Sequence, residues 1–234
     1  MTPAQAISEI EALKICSLNS DNRVVRERLQ SFFAEVLSEY DRDRSFGPAL
    51  EKGYMLLREV ENCSSLPERA DCRYDVAEAV RELMLCAGAV ASARKTALFG
   101  ELCFENAYIS VDMRNFARAF FSLTANAFKY SCGEDVFVRL TRFDGFVALS
   151  VNNSGSFPAQ IFRNAVEGRG SLGFVNRLMK SAGGSLIMSD GGGTVSLALK
   201  IPEADSSLPC ALPFTADELI GNRLSGLYVS FCAH

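Results

Sequence analysis

Thr124-Ala125-Asn126-Ala127-Phe128-Lys129-Tyr130-Ser131 is the stretch on which the fold turns. Upstream of it Phe116, Phe120, Leu123, Ala127 and Phe128 recur at helical spacing, and Asp112 stands where an N-cap belongs. The spacing predicts a helix that packs one side on a sheet and leaves its other side free. On its last turns Asn126 offers a neutral oxygen suited to magnesium, and Lys129, one turn further along the same face, has the reach for a phosphate. Tyr130 adds a flat ring that can stack on a base while its hydroxyl stays wet.

Downstream, Val136–Leu140 and Phe146–Val151 are β-branched and aromatic strands joined through Asp144-Gly145, a hairpin signature. The second strand runs out in Val151-Asn152-Asn153-Ser154-Gly155, where the Asn153 acceptor meets a glycine that allows close backbone approach. Residues 154–170 carry so many breakers that they read as a loop. Gly168-Arg169-Gly170-Ser171-Leu172-Gly173 then stands directly before a helix predicted over Leu172–Ala182, where free N–H groups and the helix dipole favour an anion such as phosphate. Gly183 and Gly184 stop that helix. A second hairpin follows across the glycines before Thr194, and Pro202 closes the unit. Each cluster alone agrees with ordinary turn and cap chemistry. In this order they outline a nucleotide pocket.

Upstream, Asp75 and Glu78 have capping-box spacing for an earlier helix, and short strands are expected around Leu102 and Phe104 and over Tyr108–Val111. The element order reads as α+β, with helices on one face of a mixed sheet. Before it, Val25, Leu29, Phe32, Phe33, Val36, Leu37 and Tyr40 form one apolar stripe, and Leu50, Tyr54, Leu57 and Val60 form another after Pro48. These predict an antiparallel helical hairpin. A hairpin cannot bury both faces alone, so it wants the following domain or a second copy; a homodimer through the hairpin is the first expectation. The domains are therefore drawn as a hairpin over 1–66, a sandwich over 70–202 and a tail over 203–234 with no role assigned.

Composition narrows the function. The 234 residues are 48% hydrophobic and 22% charged, which suits folded domains. The net charge of -4 offers no attraction for nucleic acid or anionic lipid. The longest mostly apolar stretch, Leu83–Ala93, is too short to span a bilayer, and the acidic N-terminal segment does not read as a signal peptide, so a cytoplasmic protein is expected. The 8 cysteines include no CxxC pair, and the single histidine is His234. Thiol–imidazole catalysis, a serine–histidine dyad and a histidine-rich metal site are all disfavoured.

From about Asp75 to Pro202 the chain resembles the ATP-binding domain shared by histidine kinases, gyrase, Hsp90-type chaperones and mismatch-repair ATPases, most closely in the histidine-kinase branch. Asn126, Ala127, Lys129 and Tyr130 match that family's asparagine-bearing helix motif. The resemblance implies that Asn126 holds magnesium, Lys129 meets phosphate and Tyr130 lies on the adenine. Asn153 and Gly155 match its DxGxG box, Gly168, Gly170 and Gly173 its glycine-rich box, and Gly192, Gly193 and Thr194 its late GGT element.

The departures are specific. Asn153 stands for an adenine-reading aspartate, and its uncharged oxygen implies a loss of about 1–1.5 kcal/mol, roughly tenfold in affinity. Phe157 replaces the second glycine of its box, and the glycine-rich box has one extra residue. Ser122, four residues before Asn126, occupies the position at which the hydrolysing branches carry a glutamate, so gyrase-type hydrolysis is not expected. The hairpin contains no histidine to accept a phosphoryl group, which excludes the usual self-phosphorylation. The resemblance thus implies a two-component signalling protein that uses ATP and magnesium and, if a kinase, acts in trans. The alternative is a degenerate dimeric adaptor that binds a response regulator or another signalling protein.

Overall fold

The computed structural model describes Met55, Arg58 and residues 70–93, 95–221 and 226–231. The chain divides into two compact units, 65–227 and 1–64 together with 228–234. The expected hairpin lies outside the described residues, apart from Met55 and Arg58, both helical.

The larger unit is built on a five-stranded sheet. Its elements begin with β1 (Tyr74–Asp75), α1 (Val76–Ala93), β2 (Leu98–Leu102), β3 (Tyr108–Ile109), α2 (Met113–Tyr130), β4 (Ser131–Phe143) and β5 (Phe146–Gly155). They continue with α3 (Ala159–Val166), α4 (Gly170–Ser181), β6 (Ser185–Gly191), β7 (Thr194–Pro202) and α5 (Ala216–Gly221); α6 (Gly226–Phe231) begins in this unit and ends in the smaller one. Strand order in the sheet is β2-β4-β5-β7-β6, with β2 parallel to β4 and the other neighbours antiparallel; β1 and β3 form a separate two-stranded pair. The sheet is mixed, and the fold is α+β as expected. Among the described residues, no helix is long and apolar enough to cross a membrane.

The strand pattern decides which face is covered. Val136, Val138 and Leu140 of β4, Val147, Leu149 and Val151 of β5, and Val195, Leu197, Leu199 and Ile201 of β7 are buried, while their alternating neighbours are not. Period-two alternation puts all of these on one side of the sheet, where α2 and α4 pack. The other side carries two stacked aromatic pairs, Phe99 with Phe137 and Phe143 with Phe146. Asp144 and Gly145, at φ 39° and 76°, turn the β4–β5 hairpin in two residues, and Gly192 and Gly193 do the same between β6 and β7.

Three expectations need correction. Helix α2 has no free side: every residue from Phe116 to Phe128 is buried, because it lies on β4 and β5 and also against α1 and α4. Its polar members are accommodated locally; the Thr124 hydroxyl donates to the Phe120 carbonyl at 3.1 Å, and the Arg118 guanidinium lies 3.6 Å from the centre of the Phe174 ring. The stretch 154–170 is not a loop throughout but contains α3. Its breakers sit at the ends, Pro158 as N-cap and Gly168 beyond the last turn, leaving eight residues free to coil. The strand expected around Leu102 and Phe104 is β2, which ends at Leu102. As an edge strand with Phe99, Gly100 and Glu101 exposed, it shows no alternation to locate it.

Beyond Pro202 the chain stays on the same unit through α5. Ala204 donates to the Tyr108 carbonyl at 2.8 Å, Arg73 exchanges backbone bonds with Pro209 and Ala211, and the Ala216 amide donates to Glu82 Oε2 on α1 at 2.6 Å. Thr215 and Glu218 cap α5 reciprocally, with Thr215 N–H to Glu218 Oε2 at 2.8 Å and Glu218 N–H to Thr215 Oγ1 at 3.3 Å.

Candidate nucleotide site

Helix α2 brings Asn126 to the inner end of the site and Tyr130 to its edge. It is started by Asp112, whose Oδ1 accepts the Asn115 amide at 2.9 Å, and it passes into β4 with no intervening loop. Asn126 is buried. Its Nδ2 donates to the Ser122 carbonyl at 2.5 Å and to Ser171 Oγ at 3.4 Å, so Oδ1 is the end of the amide that remains as an acceptor. Ser171 is the second residue of α4, and this bond ties the asparagine helix to the glycine-rich segment. Lys129 is exposed, its ammonium 5.6 Å from the centre of the Tyr130 ring.

Strand β5 ends beside that helix terminus. Asn153 is 2% exposed; its Nδ2 donates to the Ser154 carbonyl at 2.8 Å, while its Oδ1 is buried with no hydrogen-bond partner. Ser154 Oγ is likewise buried and unpaired. An unpaired buried acceptor costs on the order of 1–3 kcal/mol, which a ligand with an amine to donate would relieve. Gly155 has φ 123°, a Cβ there would overlap the Tyr130 carbonyl oxygen, and its amide donates to the Gly193 carbonyl at 2.8 Å. Only glycine satisfies both the torsion and the approach. Register then sets Ser154 opposite Thr194, an exposed residue at the start of β7.

The glycine-rich segment differs from its expected position. Gly168 precedes α4, but Gly170 opens it and Gly173 lies within its first turn. A Cβ on Gly173 would overlap the Gly168 backbone, so the two glycines let the loop fold tightly against its own helix. The Arg177 guanidinium donates to the Gly168 carbonyl and fixes the loop from below. Arg169, the N-cap of α4, makes no side-chain cap hydrogen bond.

Asn126, Tyr130, Gly155, Gly173 and Thr194 are therefore linked through Ser171, the Tyr130 carbonyl, Gly193 and strand register. Lys129 lies beside this group with its ammonium over the Tyr130 ring, and Gly170 opens the helix that holds Ser171 and Gly173. Sequence reasoning overlooked Ser171, Arg177 and Asp190. Asp190 Oδ2 accepts the Phe157 amide at 3.1 Å, and an aspartate immediately before a run of glycines was a legible turn signal. A cleft of about 550 Å³ lies elsewhere, lined by Asp112, Lys180, Glu203 and Asp205 among others. It sits by the start of α2, about 27 Å along the helix axis from Tyr130, and so takes no part in the cluster. Its carboxylates already cap α2, pair with Arg142 and accept the Ser207 amide.

No family model matches the chain, nor does any curated protein sequence. Solved structures do. Full-length ShkA in complex with AMPPNP superposes with a TM-score of 0.56 at 17% identity, over 88% of this chain and 47% of that one. That likeness is one of fold. The histidine kinase AdeS of Acinetobacter baumannii is similar at 16% identity and a TM-score of 0.49, over 86% of this chain and 96% of that one. A mycobacterial sensor histidine kinase, MprB, gives 22% and 0.47 over 56% and 96%. In this chain the four clusters lie at one end of the sheet, where α2, β5, α4 and the β6–β7 turn meet.

Proposed function

We propose that the chain is a signalling protein of the two-component type whose histidine-kinase-like domain binds an adenine nucleotide and acts on a separate acceptor. The buried, unpaired Oδ1 of Asn153 carries this reading. With Nδ2 held by the Ser154 carbonyl, the side chain presents an acceptor only, matched to an exocyclic amine such as that of adenine. The residues present fit the triphosphate end as well: Asn126 Oδ1 would meet magnesium, Lys129 a phosphate oxygen, and the backbone around Gly168, Gly170 and Gly173 the remaining anionic oxygens. When bound, ATP supplies a transferable phosphoryl group. The chain's part is to position it, since Ser122 gives no base for activating water. The acceptor would be a response regulator or another signalling protein, and a homodimer through the 1–66 segment is the arrangement first expected. Cytoplasmic placement follows from the same reading.

Calorimetric titration with ATP, with and without magnesium, tests the site. Binding in the micromolar to low-millimolar range that weakens about tenfold in Asn126→Ala only when magnesium is present supports the assignment. No heat at millimolar ATP favours the adaptor reading, in which the same fold serves protein binding alone. That second reading has its own support: the Asn126 amide is already engaged by Ser122 and Ser171, and Phe157 lies against Tyr130.

A further inference from the structure

Helix α2 turns a polar line towards α4: Arg118, Ser122 and Asn126 recur every fourth residue and are all buried, Arg118 against Phe174 and Asn126 against Ser171. The Asn126 amide carries two protons and meets two acceptors. The first, the Ser122 carbonyl at 2.5 Å, lies one turn back on the same helix, so that bond travels with α2 and fixes nothing outside it. The second, Ser171 Oγ at 3.4 Å, belongs to the first turn of α4. With Nδ2 between them, a half-turn of the amide would set Oδ1 against the Ser122 carbonyl, acceptor to acceptor. Oδ1 is thereby held in one direction. It is the Ser171 bond that refers this direction to α4, at whose start Gly168 and Gly173 pack together.

We propose that Ser171 is a positioning residue that sets the site's preference among divalent cations: by holding Asn126 Oδ1 in a fixed place relative to the start of α4, it favours magnesium over calcium. This rests on the nucleotide reading above. Magnesium takes its oxygens at about 2.0–2.1 Å in near-ideal octahedral geometry, whereas calcium accepts about 2.3–2.6 Å and irregular geometry. A donor free to shift therefore costs magnesium more than calcium. Ser171 acts through Asn126 in this role and need touch neither ion nor nucleotide. Loss of one neutral hydrogen bond corresponds to about two- to tenfold in affinity.

The test uses the full chain as wild type, Ser171→Ala, Ser171→Thr and Asn126→Ala. Without ligand, proton exchange of the Asn126 side-chain amide is followed by NMR, its signals assigned by their loss in Asn126→Ala. Exchange is expected to speed up about two- to tenfold in Ser171→Ala and to return towards wild type in Ser171→Thr, with backbone protection over 172–181 unchanged. By calorimetry, Ser171→Ala is expected to weaken ATP binding about two- to tenfold with magnesium, less than about twofold with calcium, and not at all without a divalent ion; Ser171→Thr restores the magnesium value. Unchanged side-chain exchange in Ser171→Ala overturns the positioning role. Equal losses with magnesium, with calcium and without metal overturn the cation preference and leave Ser171 a general support of α4. Absence of ATP binding in every protein overturns the nucleotide reading and the preference with it, while side-chain exchange still decides whether Ser171 holds Asn126.

Discussion

Gly155 and Gly192 both have positive φ, yet they face different surroundings. A side chain at Gly155 would strike the Tyr130 carbonyl, whereas one at Gly192 would meet open space. Gly155→Ala is expected to cost at least about 2 kcal/mol and Gly192→Ala about 1 kcal/mol, compared by urea unfolding. The pattern around the site was largely readable, because Asn126, Asn153, Gly155 and the glycines between 168 and 173 are residue types whose chemistry is tied to position. What could not be read was orientation. The spacing that marks Asn126 says nothing of its nitrogen being held by Ser122 and Ser171, and nothing in the chain signals that Phe157 reaches Tyr130. Cys86 gives a further residue-scale test. Burial, and then the nearby Glu82 carboxylate, push its thiol up to about 11. Below about pH 8.5 the thiol is protonated in both folded and unfolded chains; above that the unfolded chain loses the proton while the folded chain keeps it, so stability falls as pH rises towards 11. A thiol reagent at pH 8 should label the exposed Cys103, Cys132 and Cys210 and spare Cys86 until the chain unfolds.

Helices and strands with a strong period were legible, and those positioned by a neighbour were not. The alternation in β4, β5 and β7 survives in the structure because one face of each is covered. The helix α2 misled because apolar spacing marks only the face that must be buried; Arg118, Ser122 and Thr124 are buried by packing that polar residues neither announce nor forbid. At the other extreme, the Thr215–Glu218 box was present in the sequence and passed over in a tail without periodicity. That tail is held to α1 through the Ala216 amide and Glu82. Glu82→Ala is expected to cost about 1–2 kcal/mol and to raise hydrogen exchange over 216–221, leaving the β4–β5 hairpin protected. Equal protection of α5 in variant and wild type would show that apolar contacts, not this bond, hold the segment.

For the molecule as a whole, the resemblance and the structure meet in the fold, while the phosphoryl transfer proposed above needs an acceptor, and the chain's single histidine is His234. Incubation with γ-labelled ATP alone should leave the chain without acid-labile phosphohistidine, and label should appear only when an acceptor protein is added. Acid-labile label on the chain by itself would make His234 the acceptor and overturn action in trans. The direct passage from Tyr130 into Ser131 has a consequence for how such a site can diverge. With no loop between helix and strand, a residue inserted there must be taken up at the start of β4, where the pairing with β5 already slips between Ser131 and Val136. Longer insertions fit the segment between Gly155 and α4, where no strand pairing would be misaligned. The site has, in effect, one jaw of nearly fixed length and one adjustable one.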